Sequence, residues 1–147
     1  PVFSHRKSIS AWIKYEGLRK KMPQPLDIDV EIRPWPITLN LLSNLKGIIC
    51  INMIHIAPWS STKALFDESS NLLKQDQFLM LYGPFKKDGN HTSKSNSLFD
   101  QSLKTKDITW GIRDLEKLIE LAIRSGFKED AVIQMPANNL SVIFRRR

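Results

Sequence analysis

Apolar residues run, alternate and recur along this chain in patterns that predict its elements. Ile48, Ile49, Cys50 and Ile51 form an unbroken apolar run rich in β-branched residues, and residues 77–82, QFLMLY, form another. Such runs predict strands buried on both faces, as in a parallel sheet. Between them, Ala64, Leu65, Leu72 and Leu73 give an apolar stripe to a helix that Ser60 and Ser61 can cap. Strand, helix, strand in this order predicts a right-handed crossover with the two strands parallel. The first run ends in Asn52, His55, Pro58 and Trp59, an amide, an imidazole and an indole just past the strand's carboxyl end, where open α/β sheets hold their ligands.

The flanking segments are read in the same way. Residues 8–21 place Ile9, Trp12 and Ile13 at near-helical spacing; Gly17 weakens this helix, and Pro23 and Pro25 stop it. Residues 25–30, PLDIDV, alternate apolar and acidic positions and predict a strand, and residues 33–36, RPWP, a rigid loop. Gly83 and Pro84 end the second apolar run. Residues 86–107 are polar and read as a lid: a loop at Gly89 to Thr92, then a helix over 93–104 that buries Leu98 and Phe99, with Leu103 a further candidate. A helix over 113–125 carries Leu115, Leu118, Ile119 and Ala122 on one face and stops at Gly126. Residues 128–135 and 140–146, joined by four residues, can only pair antiparallel.

At 147 residues the chain fits one domain, 1–147, able to bury roughly 70% of its unfolded surface. No apolar run approaches the ~20 residues of a membrane span, so no membrane partner is expected. The single cysteine, Cys50, reads as a small core residue of a reducing compartment, which places the protein in the cytoplasm. The net charge of +7 is scattered without basic and aromatic interleaving, which disfavours a nucleic-acid partner. Histidines at positions 5, 55 and 91 have no metal-ligand spacing, so no metal is expected.

Five strings narrow the fold class: CINMIHIAPW at 50–59, LYGPF at 81–85, SNSLFDQSL at 95–103, WGIRDLE at 110–116 and MPANNLSVIFR at 135–145. Together they resemble the family called domain of unknown function 938, whose animal members are named methyltransferase-like 26. The resemblance implies an α/β fold, the Rossmann-like sheet of class I S-adenosylmethionine-dependent methyltransferases closed by an antiparallel C-terminal hairpin. It implies S-adenosylmethionine as cofactor and an unknown, small-molecule methyl acceptor. Family members begin with a strand and a glycine-rich turn, E-x-G-S-G-T-G-Q-H, that this sequence does not contain; its six glycines are scattered singly. Such a turn lets backbone N–H groups approach a cofactor. The strand would lie beside residues 48–52, so its loss leaves an apolar edge to be covered by a missing N-terminal segment or a second copy of the chain. The chain is either a piece of a longer protein or a truncated relative, a methyltransferase-like protein or a non-catalytic module that pairs through that edge.

The resemblance places Asn52 and Met53 at the cofactor's methionine end and Asp29 near its adenine; otherwise Asn52 caps a turn and Asp29 is a solvated carboxylate. His55 is a candidate base or a packed core imidazole. Trp59, Tyr82 and Phe85 wall a ligand or pack on a helix. His91, Asn96 and Asp100 are substrate-side candidates by position in the lid. Arg113 suits an anionic substrate, or with Asp114 caps its helix. Asn138 and Asn139 satisfy the hairpin turn or border the substrate.

Overall fold

The computed structural model describes residues 2–147, which divide into two compact units, one ending at Ser43 and the other Asn44–Arg147. In the first unit, α1 (Phe3–Tyr15) starts before and stops short of the expected 8–21 helix: it ends ahead of Gly17, whose φ of 65° is left-handed, not at Pro23 and Pro25, and a short 3-10 turn follows at Leu18–Lys20. Residues 25–30 do not form the expected strand. Asp27 is drawn to Arg6 on α1 at 2.8 Å, and Asp29 Oδ1 accepts the Glu31 N–H at 3.0 Å. Alternation supplies a face but no ladder partner, and these side chains give the segment local alternatives to one. A five-residue helix, α2 (Leu39–Ser43), closes the unit.

The second unit carries the sheet. In chain order it contains β1 (Gly47–Ile51), α3 (Trp59–Leu72), β2 (Phe78–Gly83), β3 (Phe85–Lys87), β4 (Asn90–His91), α4 (Lys94–Lys106), β5 (Arg113–Asp114), α5 (Leu115–Arg124), β6 (Phe127–Met135) and β7 (Asn139–Arg146). The main sheet has the order β1-β2-β7-β6, with β1 and β2 parallel and β7 antiparallel to both β2 and β6. Cross-strand partners Leu79 with Phe144 and Leu81 with Val142 are fully buried on one face. Phe66 of α3 packs edge-on against Phe127 and Phe144 there, at 5.9 and 5.4 Å between ring centres. Leu118 and Ala122 of α5 are equally buried, and Gly126 follows that helix at φ 80°, as its stop signal requires.

Three expectations need correction. β1 is not buried on both faces: Ile48 and Cys50 turn towards the same side as Leu79 and Leu81, whereas Ile49 and Ile51 are 55% and 60% exposed. It is an edge strand, hydrogen-bonded on one side only. Ser60 and Ser61 do not cap α3, which begins one residue earlier with Pro58 at its cap position. Pro58 N has no hydrogen to lose there, and its ring presets the entry. Finally, α4 buries Leu103, as offered, but with it Asn96 and Asp100 rather than Leu98 and Phe99, which are 57% and 40% exposed. The polar residues of α4 are bought into the interior by specific partners, described below.

A second, three-stranded sheet, β4-β3-β5, went unread in the sequence because its strands are two or three residues long. Asp88 and Gly89, both left-handed at φ 50° and 72°, make the tight turn between β3 and β4. β3 then pairs parallel with β5, which brings Lys86 level with Asp114. This small sheet joins the end of β2 to the start of α5.

Candidate functional site

The carboxyl ends of β1 and β2 open into a cavity of about 550 Å³. Asn52 stands at its base: its backbone is left-handed at φ 54°, and its N–H donates to Tyr82 O at 2.9 Å, closing the last rung between the strands. Its side chain reaches the cavity wall and makes no hydrogen bond among the described residues, so it does not cap the following turn. His55 lies on the same wall, 3% exposed. Its Nδ1 is buried without a hydrogen-bond partner, and its ring meets Phe99 edge-on at 5.6 Å.

Gly83 explains how His55 can sit so close to the sheet. A Cβ at that position would stand 3.1 Å from the imidazole Cε1 and 3.2 Å from Nδ1, tighter than ordinary contact. Gly83 also has a φ of 156°. Burial lowers the His55 pKa below its ordinary 6.5, and the nearby Arg113 charge lowers it further. The imidazole is therefore neutral at pH 7, with one ring nitrogen uncommitted.

The opposite wall comes from α4 and the β6–β7 turn. Ser93 caps α4 by accepting the Asn96 N–H at 3.1 Å, and the Asn96 side chain donates to Thr92 Oγ1 at 3.0 Å and to Asn138 O at 3.2 Å. Asn96 thus ties the lid helix to the hairpin turn. Asn138 is left-handed at φ 58°, as turn chemistry suggests, and contributes its carbonyl rather than its side chain. Asn139 is extended at φ −91°, not left-handed; its Nδ2 donates to Tyr82 Oη at 3.2 Å, and it reaches the wall. Pro84, Ile56 and Phe99 complete an apolar side that the sequence reading missed. The available signal was their spacing beside Gly83, His55 and Asn96.

Other expected site residues are placed elsewhere. Phe85 is 1% exposed in the core and walls neither this cavity nor the second one described next. Tyr82 supports Asn139 from below. His91 does not face the first cavity: its Nε2 lies 3.3 Å from Asp100 Oδ2. Asp100 is a buried hub that accepts Lys104 Nζ at 2.6 Å and the Ile112 N–H at 2.7 Å, with Lys86 Nζ at 3.7 Å. Burial alone would raise its pKa, but these hydrogen bonds and the two lysine charges outweigh that and hold it below the usual carboxylate range. Asp114 does cap α5, accepting the Lys117 N–H at 3.4 Å.

Arg113 and Trp59 line a second cavity of about 540 Å³. Arg113 Nε donates to Ile54 O at 2.9 Å, and Nη2 to Ala57 O and Thr109 O, so its fork secures the segment between His55 and α3. Met53 accepts the Ile56 N–H at 3.0 Å through its carbonyl. Asp29 belongs to the first unit. Cys50 is half-buried, and burial pushes its thiol up to about 11, which leaves it unreactive near neutrality. Among the described residues, no helix is long and apolar enough to cross a membrane.

A parallel pair continued by an antiparallel hairpin, with a cavity at the parallel strands' carboxyl ends, is a Rossmann-like arrangement, and its fold is that of solved O-methyltransferases. The chain belongs to the family described as Protein of unknown function (DUF938), whose model matches residues 3–146. It is also similar to the structure of the mitomycin 7-O-methyltransferase MmcR, at 14% identity and a TM-score of 0.79, over 97% of this chain and 39% of that one. The O-methyltransferase NcsB1 from neocarzinostatin biosynthesis, solved with S-adenosylmethionine and 2-hydroxy-5-methyl naphthoic acid, matches at 14% identity and a TM-score of 0.72, over 97% and 38%. A structure described as a pericyclic reaction enzyme matches at 12% identity and 0.66, over 93% and 40%. The chain therefore spans about two fifths of the length of these neighbours, and the shared fold serves more than one chemistry.

Proposed function

We propose that this chain supplies the acceptor side, and the methionine end of the cofactor side, of an S-adenosylmethionine-dependent methyltransferase acting on a small molecule. The observation that carries this is His55: a buried imidazole with a lowered pKa on the wall of a polar-tipped cavity at the end of β1 and β2, its ring making no hydrogen bond among the described residues. When bound, the cofactor supplies a sulfonium-activated methyl group. The cavity fits that reacting end, since Asn52 offers an uncommitted amide at the base and Ile56, Pro84 and Phe99 offer an apolar wall beside it. The adenosine end is not matched in the same way. No glycine-rich turn is present in the sequence, and Asp29 spends one carboxylate oxygen on Glu31 N.

His55 accepts the proton of an acceptor hydroxyl or amine, which its depressed pKa permits at neutral pH. Asn96 and Asn139, whose amide N–H groups are already donated within the protein, offer their side-chain oxygens to the acceptor from α4 and the hairpin turn, and the family resemblance assigns Met53 to the cofactor side. Titration with S-adenosylhomocysteine, followed by backbone amide shifts, tests this reading. Shifts should centre on Asn52 and Met53, and Asn52→Gly, which keeps the left-handed backbone, should weaken binding by up to about tenfold. No shift at millimolar ligand would count against it.

A second reading rests on the edge of β1, where Ile49 and Ile51 are exposed. There the chain is a non-catalytic module that pairs through this edge with another copy. Light scattering on a purified sample separates the two: a concentration-independent monomer argues against pairing.

A further inference from the structure

The second cavity shares no wall residue with the first and has a different chemistry. Two indoles, Trp59 and Trp110, face it together with four cations, Lys86, Lys104, Arg113 and Lys117. Asp114 is the one carboxylate on its wall, and that carboxylate is engaged as the cap of α5. Behind the wall, Asp100 alone serves Lys104 and Lys86 as well as His91. Positive charge therefore exceeds negative around a concave space. A volume of about 540 Å³ lies within the range of small-ligand sites, about 300–1,000 Å³.

Two details point to an occupant. Arg113 is fixed by three backbone carbonyls and lies 5.8 Å above the Trp59 ring, yet its Nη1 makes no hydrogen bond among the described residues. Lys117 has no ion pair among them within 4 Å. A rigid guanidinium edge and a free ammonium beside indole surfaces suit a flat ring that carries an anionic group. We propose that this cavity binds an aromatic anion, a ring bearing a carboxylate or a phosphate, at a site separate from the methyl-transfer cavity. The inference stands on the charge and shape of this cavity and does not depend on methyl transfer.

Proton–nitrogen correlation spectra of the full chain test it, because its four tryptophans each report one indole N–H. The probes are biphenyl carboxylate, biphenyl phosphate and the neutral biphenyl carboxamide. The carboxylate or the phosphate should shift Trp59 and Trp110 and leave Trp12 and Trp35 in place; which of the two binds more tightly identifies the anion. The carboxamide should bind at least about fivefold more weakly than the better anion. Lys117→Gln, at an exposed position, should weaken the anion about three- to fivefold while the melting temperature stays the same. Equal binding of acid and amide would overturn the proposal, as would unchanged affinity in Lys117→Gln. Shifts centred on Asn52 and His55, or no shift at Trp59 and Trp110, would overturn it too.

Discussion

Replacing Asp100 with alanine should destabilise the second unit by about 3 kcal/mol, close to the largest effect a single substitution has in a domain of this size. The side chain is buried, and its loss strands the Ile112 N–H, removes the partner of Lys104 and leaves Lys86 and His91 without their shared anion. Thermal denaturation should then fall by roughly 10 °C. Asp100→Asn keeps an acceptor for Ile112 and should lose about half as much. The wild-type contribution also depends on pH with a definite sign. The folded pKa lies below the ordinary 3.8, so the stabilisation is present above that value and disappears as pH falls through the folded pKa. Acid titration of wild type and Asp100→Asn should therefore begin to converge near pH 4, the ordinary carboxylate value, and meet only below the folded pKa. Parallel curves down to pH 2 would show that the carboxylate charge contributes nothing.

Replacing His55 should separate stability from activity. A base that takes an acceptor's proton contributes about 10²–10⁴ in rate, so His55→Gln should lower methyl transfer by about 10³. Its buried, unpartnered Nδ1 costs stability, on the order of 1 kcal/mol. His55→Leu should for that reason unfold at the same temperature as wild type or higher, while it transfers no methyl group. If His55 were only a packed, satisfied core residue, leucine would destabilise the protein instead. In the wild type, activity should fall as pH drops through a value below 6.5, and stay level above it, because burial and the Arg113 charge depress the imidazole.

How far the sequence reached depends on the range of the physics involved. Local signals were readable: Gly126 stops a helix with left-handed backbone, two apolar runs separated by a helix pair in parallel, and the short connection between β6 and β7 forces an antiparallel hairpin. Asn52 and His55 were readable as a polar tip at a strand's end. Longer-range facts were not. The alternation of residues 25–30 carries no information about whether a neighbouring strand exists. Phe99 looks like core on its own helix, and only the partners of Asp100 and Asn96 decide that these polar residues go inward. The guanidinium of Arg113 suits an anion, yet most of its fork is spent on carbonyls of Ile54, Ala57 and Thr109, contacts that span up to 59 positions of sequence. The two cavities were legible as one list of polar residues, and the fold sorts that list into two places.

The cavity at the ends of β1 and β2 is the proposed place where a methyl group is handed over. S-adenosylmethionine carrying a carbon-13 methyl group reports that position directly through proton–proton contacts to the protein. Contacts are expected from the methyl protons to the His55 ring and the Ile56 side chain, lost in Asn52→Gly as binding weakens. Contacts to Trp59 or Trp110 instead, or none with the ligand at millimolar concentration, would contradict it.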